Sequence, residues 1–211
     1  MKAVVDIETD AIDAKKIHCI VAQQYETGEV RKWVGDECKE FGEWSKKIDQ
    51  FIMHNGISFD APLLNKFTGS TITPQQVRDT LLESQLFNPV REGGHSLESW
   101  GERLGFAKLD FHDFSEFSPL MLEYCQRDVE LTRKLAQNLE KEKKKFSNQC
   151  YDLERNIRII IDKQQSNGFA FDLMKAQLLL AKLEDEQHEL ERNAEEEFEP
   201  TIVELKTKTK E

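Results

Sequence analysis

Asp6 and Glu8 stand two residues apart in V-V-D-I-E-T, Asp60 closes H-N-G-I-S-F-D, and Tyr124 and Asp128 stand four apart in Y-C-Q-R-D-V. On a β-strand, side chains two apart share a face, so Asp6 and Glu8 project together while Val5 and Ile7 point the other way into the core. On a helix, positions four apart stack, so Tyr124 and Asp128 share a face that Leu131 and Leu135 continue. Two carboxylates on one strand face repel unless a cation lies between them, and hard divalent ions such as Mg2+ prefer oxygen ligands. An Asp inside a core-facing stripe is expensive unless it is paired or ligates a metal. Four such acids could hold two divalent ions, an arrangement that hydrolyses phosphodiesters. Each group alone has a plainer explanation. D-x-E can be an exposed strand end, Asp128 can pair with a nearby Lys or Arg, and Asp60 can be a helix N-terminal acid favoured by the dipole.

The elements that must position these residues are legible in outline. Residues 3–8 and 17–25 are short β-rich runs, and the T-G at 27–28 leads into E-V-R-K-W-V, which predicts a three-stranded meander. A helix-like stretch at 38–50 precedes a short apolar strand at 51–53, which stops at the turn-forming H-N-G. Residues 58–67 and 80–87 read as helices joined by a Thr/Gly/Pro-containing loop, and Gly93-Gly94 introduces a helix at 96–104. Ser118-Pro119, a capping serine followed by proline at the first helical position, opens a helix to about Lys145. Its Leu122, Val129, Ala136 and Leu139 recur with helical period. Helices at 151–166 and 173–197, separated by Asn167-Gly168, predict an antiparallel hairpin. Strands alternating with helices make this an α/β chain with a mixed sheet flanked by helices.

The chain has 211 residues, 38% hydrophobic and 33% charged, which suits a water-soluble globular protein with a substantial core. No apolar run approaches the roughly 20 residues of a membrane helix. The start, M-K-A-V-V-D-I-E, has acids where a signal peptide needs its apolar segment, so an unexported chain is expected. Cys19, Cys38, Cys125 and Cys150 form no C-x-x-C pair, which predicts buried reduced thiols rather than a zinc knuckle or a disulfide framework. Cys125 adjoins Tyr124, but neighbouring helical positions face different ways, so no chemistry is assigned to it. The net charge of −11 is concentrated in residues 184–199, which hold nine acids and one arginine. The remainder is close to neutral once metals offset four acids, so the charge does not exclude a nucleic-acid substrate.

With these segments in place, the chain resembles the DEDD superfamily of 3′ to 5′ exonucleases. Tyr124, four before Asp128, is similar to the tyrosine subclass; the histidine subclass would have His where this chain has Glu123. H-N-G-I-S-F-D-A-P-L-L, R-D-T-L-L-E-S-Q-L, H-S-L-E-S-W-G-E-R-L-G and Y-C-Q-R-D-V-E-L-T resemble the proofreading domain of family A DNA polymerases, especially the replicative polymerases of short-tailed bacteriophages. The resemblance implies a ribonuclease H-like exonuclease domain over 1–148 and a helical segment over 149–199 like the start of a polymerase region. Residues 200–211 are then an unstructured or truncated tail. It further implies two divalent cations, Mg2+ or Mn2+. Asp6, Glu8 and Asp128 would hold one, and Asp6 would bridge to the second, held by Asp60. Tyr124 would orient the attacking water, since an ordinary phenol has a pKa of about 10 and is no general base. Thr9 and Ile12 match positions that grip the terminal nucleotide, Phe59 matches an aromatic beside the second motif's Asp, and Asn55 and His95 are further candidate substrate contacts.

The implied substrate is a single-stranded or frayed 3′ end of DNA, in the cytoplasm of an infected bacterial host, with no membrane. Palm and fingers motifs of a polymerase do not occur in the chain, so a separate or downstream polypeptide is expected to supply them. A ribonuclease D-like RNA 3′-exonuclease shares the same metal logic and tyrosine. A catalytically silent DNA-binding or partner-docking fragment is the alternative from another class.

Overall fold

The computed structural model describes residues 1–198. Three antiparallel strands, β1 (Lys2–Thr9), β2 (Ile17–Gln24) and β3 (Val30–Val34), form the expected meander. β4 (Gln50–Met53) adds parallel to β1, and β5 (Val77–Asp79) adds parallel to β4, giving the order β3-β2-β1-β4-β5. β1, the strand bearing Asp6 and Glu8, is therefore central, and its backbone is paired on both sides. Between and after the strands lie α1 (Phe41–Ser45), α2 (Asp60–Thr68), α3 (Thr80–Phe87), α4 (Leu97–Arg103), α5 (Pro119–Lys143) and α6 (Asn148–Asn167).

Strand alternation divides the core into two layers. Val5, Ile7, Ile20, Phe51 and Met53 pack with Phe41 of α1 and with Ala61 and Leu64 of α2. On the opposite face, Val4, Cys19, Val21 and Ile52 pack on Met121, Cys125, Val129 and Ala136 of α5. Leu131, Leu135 and Leu139 extend the apolar side of α5 onto Leu97 and Trp100 of α4. Ser118 caps α5 by accepting from the Met121 N–H at 3.1 Å, with Pro119 at the first helical position, as its sequence foretells.

Three features depart from the sequence reading. The stretch at 38–50 is a 3₁₀ turn (Gly35–Glu40) followed by the five-residue α1, not one helix. The Ser45 hydroxyl donates to the Gly42 carbonyl at 2.7 Å, and the amides of Lys47 and Ile48 fold back in short turns, which ends the helix before Asp49. β5 was not foreseen, because two of its three residues are charged and give no apolar alternation. Its Arg78 is nevertheless buried, donating to both oxygens of Glu83 (2.9 and 3.0 Å through Nε), to Glu140 (2.5 Å) and to the Ala136 carbonyl (3.1 Å). Finally, α6 packs on the sheet unit: the Tyr151 hydroxyl accepts from the Asp79 N–H at 2.7 Å, and Ser58 donates to Asp162 at 2.8 Å. The first compact unit accordingly runs Met1–Ser166, beyond the boundary near 148 that the motifs suggest.

The second unit begins at Asn167 and contains α7 (Leu173–Glu197), capped by Asp172, whose carboxylate accepts from the Lys175 N–H. Leu178, Leu179, Leu180, Leu183 and Leu190 of α7 are exposed. The tail expected from 200 onward lies outside the described residues. Among the described residues, no helix is long and apolar enough to cross a membrane.

Arg78 ties β5, α3 and α5 together through charge, and Glu83 is only 2% exposed, so removing the cation leaves a buried acid unpaired. Arg78→Met is expected to cost about 3–5 kcal/mol in urea unfolding, with the Arg78→Met/Glu83→Leu double variant recovering most of that loss. A loss below about 1 kcal/mol in the single variant would mean that the ion network does not anchor α5.

Candidate active site

A β-bulge ends β1 beside the site: Glu8 pairs with Cys19, but Thr9 pairs with Ile17, leaving His18 as the extra residue. His18 is 4% exposed and its Nε2 lies 3.0 Å from the Phe114 carbonyl, which ties the loop after α4 to the sheet. That loop brings Lys108, Phe111 and Phe114 to α5. The ring of Tyr124 lies 5.6 Å from Phe111 and 6.0 Å from Phe114, centroid to centroid, and the Lys108 ammonium sits 4.7 Å from its centre.

The structure brings Asp6, Glu8, Asp60, Asp128 and Tyr124 into one electrostatic neighbourhood. Burial, then the charges of Asp60, Glu8 and Asp128, raise the Asp6 carboxyl well above the usual carboxylate range. Glu8, 7% exposed, is pushed up to about 9, first by burial and then by Cys19 and Asp128. Asp60, 4% exposed at the first turn of α2, is pushed up to about 7 by burial and by Asp79. Burial also raises Tyr124 above its ordinary value, so its phenol keeps its proton.

Asp128 combines two of the readings open at the sequence level. One oxygen forms an ion pair with Lys108 at 2.6 Å, while the other is buried without a hydrogen-bond partner. Burial works to strip the Lys108 proton, but the Asp128 carboxylate and then Tyr124 outweigh it and hold the ammonium charged. Among the described residues, Lys108 thus acts as an internal cation beside these acids. An unpaired buried carboxylate oxygen among repelling acids is the environment that a divalent cation relieves, and Asp6 and Glu8 offer ligand atoms within 4.8 Å of each other.

The other candidates have different surroundings. The Thr9 hydroxyl donates to the Ala11 carbonyl at 2.9 Å, and Ile12 is 92% exposed on the turn that follows. Phe59 precedes α2, half-buried on the first core layer. Asn55 has a left-handed backbone (φ 64°), which Asn tolerates better than most residues, and its N–H donates to Asp79. His95 Nδ1 lies 2.8 Å from the Ser84 hydroxyl, which also accepts from Trp100 Nε1 at 3.0 Å, so this histidine braces its own loop.

Sequence reasoning missed three participants. Lys108 lies in G-F-A-K-L-D-F, where no spacing marks it. Asp79 is buried beside Asp60 and accepts from the N–H groups of Asn55, Ile57, Leu81 and Leu82, which fixes both the H-N-G turn and the start of α3. An Asp before an apolar helical run was the available signal. Cys125, to which no chemistry was assigned, puts its sulfur 3.6 Å from Asp6 Oδ2, because position 125 shares a face with Asp128 three residues on. Cys150, expected to be buried, is exposed, unlike Cys19, Cys38 and Cys125.

A five-stranded sheet in the order β3-β2-β1-β4-β5, with acids on the central strand facing a long helix, is a ribonuclease H-like fold. Among solved structures, it is similar to Brucella melitensis NrnC bound to pGG, with a TM-score of 0.60 and 17% identity over 81% of this chain and 89% of that one. In sequence the chain is similar to the DNA-directed DNA polymerases of Escherichia phage T7 and Enterobacteria phage T3. It is 26% identical to each, aligned over 92% of its own length and 36% of theirs. The chain thus spans about a third of the length of these relatives. No protein-family model matches it.

Two outcomes follow for the metal-free protein. A carboxyl whose pKa is raised by folding holds its proton more tightly folded than unfolded, so that stability is present at low pH and is lost as pH rises toward the folded value. With Glu8 at about 9 and Asp60 at about 7, stability in chelator should fall from pH 5 upward by about 1.4 kcal/mol per pH unit for each proton concerned, Asp60 contributing to about pH 7 and Glu8 to about pH 9. Urea midpoints across this range test it; a flat or rising profile contradicts it. Lys108→Ala removes a cation that competes for Asp128, so calorimetric Mg2+ affinity should rise about tenfold.

Proposed function

We propose that this chain is the 3′ to 5′ proofreading exonuclease part of a phage DNA polymerase, removing nucleoside monophosphates from single-stranded or frayed 3′ ends of DNA in the cytoplasm of the infected bacterium. The observation that carries the reading is the mutual charge interaction of Asp6 with Glu8, Asp60 and Asp128, with one buried oxygen of Asp128 unpaired, in a chain similar to phage DNA polymerases.

The residues fit two divalent cations, Mg2+ or Mn2+: Asp6, Glu8 and Asp128 would hold one, and Asp60 with Asp6 the other. Bound there, such ions supply Lewis acidity that activates water and offsets charge on the departing 3′ oxygen. The chain's own residues do the positioning. The central strand fixes Asp6 and Glu8 by pairing with Val21 and Cys19 of β2, and α5 faces the same side of the sheet with Asp128. Tyr124, which keeps its proton and packs against Phe111 and Phe114, would orient the attacking water by hydrogen bond rather than remove its proton. Lys108 must release one oxygen of Asp128 for that oxygen to meet a cation. Ile12, exposed beyond the bulge, and Phe59 offer apolar surface for a terminal base, and such contact tolerates any sequence, as proofreading requires. Thr9, Asn55 and His95 are the remaining proposed contacts. The polymerising part would come from a separate or downstream polypeptide, in keeping with the 36% of the relatives' length that this chain spans.

Digestion of 5′-labelled single-stranded DNA and of matched RNA, with Mg2+ and with chelator, tests the proposal. The wild type should shorten DNA from its 3′ end only with metal, and Asp6→Ala/Glu8→Ala should lose on the order of a thousandfold in rate. Equal digestion by both proteins would remove the carboxylates from the reaction. A strong preference for RNA would favour the ribonuclease D-like reading instead.

A further inference from the structure

Sulfur stands among the oxygens of this site. Cys125 is fully buried (0% exposed), with its Sγ 3.4 Å from the Asp6 carbonyl oxygen and 3.6 Å from Asp6 Oδ2. One ligand atom from each of Asp6, Glu8 and Cys125 can be chosen so that all lie within 4.8 Å of one another. Neither the two-ion site nor the orientation of water by Tyr124 needs a thiol there, because Mg2+ takes oxygen ligands.

The spacing suits a different class of ion. A tetrahedral cation about 2.3 Å from a thiolate sulfur and about 2.0–2.2 Å from a carboxylate oxygen holds those two atoms about 3.5 Å apart. The separation of Cys125 Sγ from Asp6 Oδ2 is 3.6 Å. A second observation points to a missing ligand independently of the cysteine: Asp128, 4% exposed, has a buried oxygen with no partner, and its charge acts on both Asp6 and Glu8. The position of the sulfur has a simple origin, since Cys125 lies three residues before Asp128 on the face of α5 that meets β1.

We propose that Asp6, Glu8 and Cys125 form a site for a thiophilic divalent cation such as Zn2+, Co2+ or Cd2+, which overlaps the Mg2+ site and silences the nuclease when filled. The inference rests on the reading of Asp6 and Glu8 as metal ligands. Binding replaces the S–H bond of Cys125 with a sulfur–metal bond, the proton leaves to solvent, and nothing is oxidised or reduced. A soft ligand on one side of the cluster favours borderline and soft ions over Mg2+, whereas a set of oxygens alone would not. Occupation fixes Asp6 and Glu8 on an ion that Mg2+ cannot displace without breaking the sulfur bond.

The test uses the full chain carrying Cys150→Ser, which removes the exposed thiol, titrated with Co2+ alone and followed by absorption. The expected result is one Co2+ per chain with a thiolate-to-cobalt charge-transfer band in the ultraviolet, and loss of that band in Cys125→Ser and Cys125→Ala. Cadmium NMR of the Cys150→Ser chain should show a sulfur-ligated shift, a readout independent of any change at position 125. Zn2+ should inhibit Mg2+-supported digestion at about tenfold lower concentration with Cys125 present than with Ser in its place. A Co2+ complex without the band, or a band that survives both Cys125 substitutions, overturns the proposal. A band without any Mg2+-dependent digestion supports the sulfur site while removing the nuclease reading. Digestion without the band does the reverse.

Discussion

Carboxylates held together where little water reaches them repel, and a fold can keep them close only if its other interactions are stiff enough to bear the strain. Here Asp6 and Glu8 are carried by the central strand, whose backbone hydrogen-bonds to neighbours on both sides. Asp128 arrives on α5, pressed to the sheet by Met121, Val129 and Ala136, and Asp60 arrives on the first turn of α2. The apolar layers on the two sheet faces thus offset the charge between them. At about 25 cal/mol per Å2 of apolar surface, a handful of fully buried aliphatic and aromatic side chains outweighs a few kcal/mol of repulsion.

Charged groups share that task. Arg78 fastens the edge strand to α3 and α5 through Glu83 and Glu140, away from the carboxylate cluster but along the same helix that delivers Asp128. Lys108 acts inside the cluster as an internal counterion. The two cations have opposite characters. Arg78 grips both oxygens of Glu83 in a fixed fork, whereas Lys108 is a compact charge on a flexible stem, suited to leaving when a stronger cation arrives.

Much of this could be read from the residues alone, for reasons that also explain what could not. The meander, α3, α5 and α7 announce themselves by alternation, by helical period and by caps such as Ser118-Pro119. The five principal site residues stand at spacings fixed by strand and helix geometry, so local rules sufficed to group them. β5 escaped because Arg78 and Asp79 are buried through partners distant in sequence, which no local pattern encodes. Lys108 escaped for the same reason, reaching Asp128 from an irregular loop. Cys125 differs in direction from its neighbour Tyr124 but shares a face with Asp128, one helical turn on, and that second relation brings it to the site. The packing of α6 on the sheet unit rests on tertiary contacts of Tyr151 and Asp162 with β5 and the turn before α2, which no local pattern encodes.

The order of the strands sets a timetable for the newly made chain. β1, β2 and β3 are consecutive hairpin partners and can pair as soon as they are synthesised, but the other side of β1 stays an open edge until β4 arrives. The face bearing Asp6 and Glu8 waits longer still, for α5, more than a hundred residues away in sequence. Contacts across such separations form late, so the carboxylate cluster is among the last things the folding chain completes. A ribosome-bound chain lacking α5 has two acids on an uncovered sheet and nothing to oppose them, and the hazard in that interval is adhesion through the bare strand and apolar face, not premature chemistry.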